Sequence, residues 1–214
     1  MAHRSSTGGP GRRGPRREDP PEVRLSKFLS YVLRHGATKE GLALRSDGSV
    51  ALDDLMKHAK LRATTFEQIR HVVDTNSKKR FALFQEGPDQ RWFIRAVQGH
   101  SLEVTDLPLI RITADSLPGC IIHGTLKSRL PAIQQTGLSR MGRTHIHFTS
   151  GLPADGSVIS GMRSTADVFI YIDRHKAMAD GIEFYRSDNG VILSTGKDNS
   201  GTIPPEYFER VVHR

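Results

Sequence analysis

Cysteine is almost absent from this chain. Cys120 is the only one in 214 residues, so no intramolecular disulfide can form, and the sequence reads as one suited to a reducing compartment, cytoplasmic and/or nuclear. Long apolar runs are missing as well. The longest, Val168 to Ile172, is strand-sized and far short of the roughly 18 residues that suggest a membrane span, so no membrane partner is expected. The first residues hold no apolar stretch of the kind a secretory signal carries. Two common phosphate-binding loops are also lacking. No G-x-G-x-x-G follows a strand, and no Walker-type loop occurs, which excludes a Rossmann dinucleotide site and a P-loop nucleotidase.

Positive charge, in contrast, is abundant. The formal net charge is +8, which suits a polyanionic partner. Residues 1–24 carry six Arg against Glu18, Asp19 and Glu22, a net +3, which leaves +5 on the remainder. Residues 1–22 are rich in Gly, Pro, Arg and Ser with almost nothing to bury, and are expected to be a disordered basic tail.

From Leu25 the pattern becomes helical: Leu25, Phe28, Leu29, Val32 and Leu33 fall on one face, and Gly36 stands where a helix stops. Asp47-Gly48, between Leu42-Ala43-Leu44 and Val50-Ala51-Leu52, signals a tight hairpin. Asp53 is expected to cap a short helix through Lys57, and Thr64 with Glu67 forms a capping-box pattern for another through Val73. Arg80 to Phe84 and Arg91 to Arg95 read as strands around Gly87-Pro88-Asp89, which completes a winged-helix-like order. Residues 102–118 are less patterned and read as a linker. Beyond them come short strands (Cys120 to Ile122, Ile146 to Phe148, Val168 to Ile172, Val191 to Leu193) and one helix near Leu130 to Gln135. The fold class expected is α+β.

Several groups of residues carry potential chemistry. Arg34-His35 closes the first helix. The two cations either complement the helix dipole or hold a phosphate, with Arg as a rigid fork and the helix end favouring a protonated imidazole. Lys78-Lys79-Arg80 is either a solvated helix end or a substrate contact. Arg95 and Gln98-Gly99-His100-Ser101 combine backbone access at glycine with polar side chains. His123-Gly124-Thr125 leaves an apolar strand as a plausible ribose cradle. His145 and His147 share one strand face and, with His123, could form a three-imidazole zinc site. No carboxylate stands nearby in sequence to orient them, and no metal is expected. Arg163, in Ser160-Gly161-Met162-Arg163-Ser164, enters an apolar strand where it can reach an anion.

In order along the chain, seven segments resemble the NAD-dependent RNA (tRNA) 2′-phosphotransferases, the family that finishes tRNA splicing in fungi. They are Leu29 to Gly36, Asn76 to Phe81, Arg95 to Ser101, His123 to Thr125, Thr144 to His147, Ile159 to Ser164 and Ser187 to Val191. The resemblance implies a winged-helix RNA-binding lobe over 23–101 and an ADP-ribosyltransferase-like, mostly β, NAD-binding lobe over 119–214. It places the family's catalytic set on Arg34, His35, Arg80 and Arg163, with no departure at these positions. It implies an NAD pocket at His123, Gly124, Thr125 and His147, extended to Thr149 and Ser160. Lys78, Arg95, Gln98 and His100 are expected to bind substrate.

The implied reaction consumes NAD as co-substrate. The 2′-phosphate of ligated tRNA attacks C1″ of NAD and nicotinamide leaves. The ribose O2″ then attacks phosphorus, releasing RNA with a free 2′-OH and ADP-ribose 1″,2″-cyclic phosphate. A monomer acting on RNA with an internal 2′-phosphate is expected. No carboxylate falls within the motifs to stabilise the cationic C1″ centre, so the incoming phosphate is expected to supply that negative charge. Two other readings remain at this point: a winged-helix regulator that only binds nucleic acid, and a transferase that ADP-ribosylates protein or terminal phosphates.

Overall fold

The computed structural model describes residues 19–152, 162–163 and 165–214. Helix α1 spans Pro21–Tyr31, with Pro21 in its first turn, where a missing N–H costs nothing, and Glu22 near its positive end. It starts four residues before the apolar spacing begins at Leu25, so Pro21 and Glu22 belong to the helix and not to a tail. After Tyr31 the helix widens into a π-turn, Val32–Gly36. Gly36 lies close under the Tyr31 ring: an added Cβ would come within 2.7 Å of it and push the ring aside.

Strand β1 is Ser49–Ala51, α2 Leu52–Met56, α3 Phe66–Asp74, β2 Phe81–Glu86 and β3 Arg91–Ala96. The expected hairpin between Leu42–Leu44 and Val50–Leu52 is not formed. The turn at Asp47-Gly48 is present, but β1 pairs with β3, Ser49 opposite Arg95, and Leu42 is buried in the core instead of joining a ladder. Asp53 lies inside the first turn of α2 and caps nothing, since the N-cap is Ala51. The capping box sits one residue later than expected: Gln68 N–H donates to Thr65 Oγ1 (3.3 Å), and Thr65 N–H donates to Gln68 Oε1 (2.9 Å). β2 and β3 pair along their whole length, giving the strand order β1-β3-β2, and Leu29, Leu33, Val50, Leu55, Ile69 and Ile94 fill the core between this sheet and the helices.

The remaining elements are β4 Ile110–Arg111, β5 Ile122–Thr125, α4 Leu130–Thr136, β6 Leu138–Ser139, β7 Ile146–Phe148, β8 Val168–Ile172, α5 Arg174–Ala179, β9 Tyr185–Arg186, β10 Ile192–Ser194, β11 Thr202–Ile203 and β12 Phe208–His213. They form sheets ordered β4-β9-β10-β7, β12-β8-β5 and β11-β6. Part of the expected linker is structural: β4 pairs with β9, and Ile112 joins the second core. The described chain is thus mixed α and β, compatible with an α+β class.

β8 is buried on both faces. Val168, Ile170 and Ile172 pack into the larger core, while Phe169 and Tyr171 pack with Ile122 and Ala166 on the opposite side. The central position of β8 between β12 and β5 explains its unbroken apolar sequence. β5 pairs with it from His123 opposite Ile170 to Thr125 opposite Val168, which carries the polar residues of β5 to a defined place beside the core.

The two halves meet through polar contacts. His147 Nε2 lies 2.9 Å from Gln98 Oε1, Thr144 N–H donates to the His100 carbonyl at 2.9 Å, and Asn189 Nδ2 donates to the Lys78 carbonyl at 2.9 Å. Truncation of Ile170 to Ala should lower stability by about 2–5 kcal/mol through cavity formation. The same truncation at Val212, 39% exposed, should cost less than about 0.5 kcal/mol. Urea unfolding of the two variants measures this difference, and equal losses would show that β8 is not the centre of the core.

Candidate active site

The sequence near Arg34 folds so that the helix end is clasped by the segment after β3. In the π-turn the Arg34 carbonyl accepts Ser101 N–H at 2.9 Å and Leu102 N–H at 3.3 Å, which satisfies a carbonyl the helix leaves open. Gly99 lies at φ +89°, a conformation glycine adopts readily, and its backbone passes beside the Arg34 guanidinium, where a Cβ would sit in ordinary contact at 3.4 Å. Arg34 Nε and Nη2 are buried without a hydrogen-bond partner among the described residues. Burial, then Arg80, then Arg143, pushes the Arg34 pKa down to about 10.

Arg34 opens into a cleft of about 460 Å³ between the two halves, within the usual size range of ligand pockets. Lys78 and Arg80 reach the same cleft from the entry to β2, so two of the three basic residues there are not a solvated end. Arg80 is held by Asn76 Oδ1, which accepts its backbone N–H (3.2 Å) and Nη1–H (3.3 Å). Arg129, Arg143 and Arg163 complete the lining cations from the second half, and no Asp or Glu lines the cleft among the described residues. Burial lowers the pKa values of Lys78, Arg80 and Arg143, with neighbouring Arg80 adding to the effect at Lys78 and Arg163 at Arg143.

The opposite wall is β5 and β7. His123 Nδ1 lies 2.9 Å from the His147 carbonyl. A carbonyl only accepts, so neutral His123 carries its proton on Nδ1 and leaves Nε2 as an acceptor. His147 is paired with Gln98 and its pKa is pushed down to about 3, first by burial and next by Arg143. Gly124 and Thr125 line the cleft, and a Cβ on Gly124 would overlap the Met162 side chain. Thr149 lines it too, with its hydroxyl donating to the Gly151 carbonyl at 3.0 Å. The imidazoles of His123, His145 and His147 do not gather: among the described residues no group of three or more His, Cys, Asp or Glu side chains is placed to hold a metal ion.

Three expected site residues stand outside the lining of the cleft, and a fourth is not among the described residues. Ser160 lies outside the described residues. Arg95 does not line the cleft, because its guanidinium bridges Asp188 (3.3 Å) and Asp47 (3.7 Å) at the junction of the halves. His100 is fully buried behind the cleft, with neither ring nitrogen partnered among the described residues. His35 is exposed beside the cleft, its Nδ1 2.9 Å from Ser101 Oγ. The helix end does not favour the protonated form of His35: burial first, then Arg34 and Arg143, lowers its pKa. Arg143, Arg129 and Asn189 line the cleft without having been singled out. Arg143 stands two residues before the histidine pair that drew attention as zinc ligands, and its nearness to Arg34 and Arg163 is a property of the tertiary structure alone.

A polar cleft lined by cations from two elements of one half and three of the other, with the polar residues of β5 and β7 opposite, defines a site suited to an anion. Residues 20–196 match the model of the RNA 2′-phosphotransferase, Tpt1 / KptA family. The chain is 50% identical over 208 residues to tRNA 2′-phosphotransferase 1 of Danio rerio, covering 95% of this chain and 92% of that protein. It is 47% identical over 209 residues to tRNA 2′-phosphotransferase 1 of Homo sapiens (97% and 82%) and 39% identical over 203 residues to tRNA 2′-phosphotransferase of Saccharomyces cerevisiae (91% and 85%). The chain belongs to the RNA 2′-phosphotransferase family and is a transferase.

The buried imidazoles set an acid limit on the fold. His100 has its pKa pushed down to about 4, chiefly by burial and then by Arg34, from an ordinary value of 6.5. Between those values the unfolded chain binds a proton that the folded protein refuses, so stability falls as pH drops through that window. For His100 the loss should be on the order of 3 kcal/mol. Urea unfolding from pH 7.5 to 4 should show the decline, and His100→Gln should make it shallower, with His147 accounting for part of what is left. A wild-type profile independent of pH would mean that His100 protonates freely in the folded state.

Proposed function

We propose that this protein is an NAD-dependent tRNA 2′-phosphotransferase, which moves the splice-junction 2′-phosphate of ligated tRNA to NAD. The observation that carries this reading is the cleft in which Arg34, Lys78, Arg80, Arg143 and Arg163 converge with no carboxylate among the described residues. A phosphate monoester brings about −1.5 to −2 charges near neutral pH, and such a cleft supplies what it lacks. The three relatives named above are tRNA 2′-phosphotransferases, which supports tRNA as the substrate.

The order of helices and the three-stranded sheet support a winged-helix reading for residues 23–101, as the RNA-binding lobe. The mostly β second half supports an ADP-ribosyltransferase-like lobe over 119–214 that takes NAD. NAD supplies an electrophilic ribose carbon and a leaving nicotinamide. His123 Nε2, an acceptor by its tautomer, suits a ribose hydroxyl, and Gly124 and Thr125 offer strand backbone beside it. The guanidinium of Arg34, which lines the cleft, is a rigid fork suited to phosphate oxygens.

In this reading Arg34 and Arg80 hold the 2′-phosphate as nucleophile, and His35 contacts it from the rim. Arg163 and Arg143 face it from the lobe that binds NAD and neutralise the charge that builds on phosphorus in the second step. That no carboxylate lines the cleft among the described residues is consistent with the phosphate itself balancing the cationic ribose centre.

Incubation with NAD and an internally 2′-phosphorylated RNA, followed by mass spectrometry, should yield nicotinamide, 2′-OH RNA and ADP-ribose 1″,2″-cyclic phosphate. Stable ADP-ribose on a 5′-phosphorylated strand, with the 2′-phosphate untouched, would favour a terminal-phosphate transferase instead. Arg34→Ala should slow entry into the first step by about 10²-fold or more, since a charged contact to the nucleophile is lost. Arg163→Ala should let ADP-ribosylated RNA accumulate, and Arg143→Ala should share that behaviour in weaker form. Accumulation in Arg34→Ala but not in Arg163→Ala would reverse the division of roles.

A further inference from the structure

His35 and Ser101 are 66 residues apart in sequence, yet Ser101 Oγ lies 2.9 Å from His35 Nδ1. The direction of this hydrogen bond decides what His35 can do. Ser101 Oγ is also 3.5 Å from the Arg34 carbonyl, longer than an ordinary O–H···O bond. That carbonyl already accepts two N–H groups, from Ser101 (2.9 Å) and Leu102 (3.3 Å), which matches its two lone pairs. The single hydroxyl proton is therefore best placed on the short contact to Nδ1. A neutral imidazole that accepts at Nδ1 carries its own proton on Nε2.

We infer that Ser101 is a positioning residue, which fixes His35 in the tautomer with its proton on Nε2 and so presents the imidazole as a hydrogen-bond donor to the transferred phosphate. This rests on the proposed phosphotransfer at the adjoining cleft. His123 is held in the opposite sense, with Nδ1–H on the His147 carbonyl. The site thus owns one imidazole set to donate at Nε2 and one set to accept there, without either needing to be charged. The surroundings agree: Arg34 on the same turn, Arg143 from the turn before β7 and buried His100 all stand near His35, and the two arginines disfavour its protonation. The hydroxyl has a further advantage over a carbonyl or carboxylate. It can rotate to accept from Nδ1–H if a bound dianion draws a second proton onto the ring.

The test is spectroscopic and kinetic, on the full chain labelled with ¹⁵N-histidine, with His35 and His123 signals assigned by their loss in His35→Gln and His123→Gln. Near pH 8, His35 should show a protonated Nε2 and an unprotonated Nδ1, and His123 the reverse. In Ser101→Ala the His35 preference should relax while His123 is unchanged. On the 2′-phosphorylated RNA, Ser101→Ala should lower kcat about tenfold, the worth of one hydrogen bond, with KM little altered. Ser101→Thr, which keeps the hydroxyl, should restore most of it. A protonated Nδ1 on wild-type His35, or a Ser101→Ala enzyme with unchanged kcat, overturns the inference. A wild-type protein that shows the expected tautomers yet transfers no 2′-phosphate overturns the proposed function and leaves the tautomer assignment standing.

Discussion

The structure is organised around a concentration of positive charge that it does not neutralise. Six cationic side chains face one cleft, and no carboxylate among the described residues answers them. Carboxylates are not scarce in the protein. Asp47 and Asp188 stand at the same junction, but both are engaged with Arg95, away from the cleft. Burial of these cations, and then their mutual repulsion, lowers the pKa values at Arg34, Lys78 and Arg143. Two well-packed cores bear this cost, one behind each wall, and the polar contacts of Gln98, Thr144 and Asn189 hold the walls together.

Much of the fold could be read from local patterns because local physics produced it. The α1 stripe, the β2–β3 hairpin and the β8 run are each explained by burial on a face that the sequence displays at the right period. What escaped depended on contacts distant in sequence. Leu42 to Leu44 has strand-like composition, but β3 is the partner that reached β1, and no local rule favours Arg91–Ala96 over the nearer segment. β12, at the edge beside β8, alternates weakly, and β4 is only two residues long, so neither carries a periodic signal. The shift of the α3 box from Thr64 to Thr65 reflects two adjacent threonines, each with an acidic or amide residue three positions later.

The site shows the same division. Arg34, Arg80, Arg163, His123 and His147 sit in short motifs with recognisable order, and the structure brings the side chains of all five to the cleft. Arg95 and His100 sit in equally recognisable motifs, yet one is an interlobe ion pair and the other a buried neutral imidazole. A motif records that a residue is constrained, not whether the constraint is a ligand or a neighbouring lobe. Arg143 is the reverse case: no motif marks it, and only the approach of β7 to the end of α1 makes it part of the same field as Arg34 and Arg163. The segment Gln98 to Ser101 shows how one strap serves several ends, with Gln98 on His147, Gly99 against Arg34 and Ser101 on both Arg34 and His35.

If the cleft is built for an anion, its central arginine should be a burden when no anion is bound. Thermal unfolding of the wild type and of Arg34→Met, with and without a nucleoside 2′-phosphate, tests this directly. The methionine keeps most of the volume and removes the charge. The account predicts that without ligand Arg34→Met is at least as stable as the wild type, and that the nucleotide raises the melting temperature of the wild type alone. If Arg34→Met is instead destabilised by about 3–5 kcal/mol without ligand, as when a satisfied buried ion pair is broken, the cleft is a structural charge network and the account is wrong.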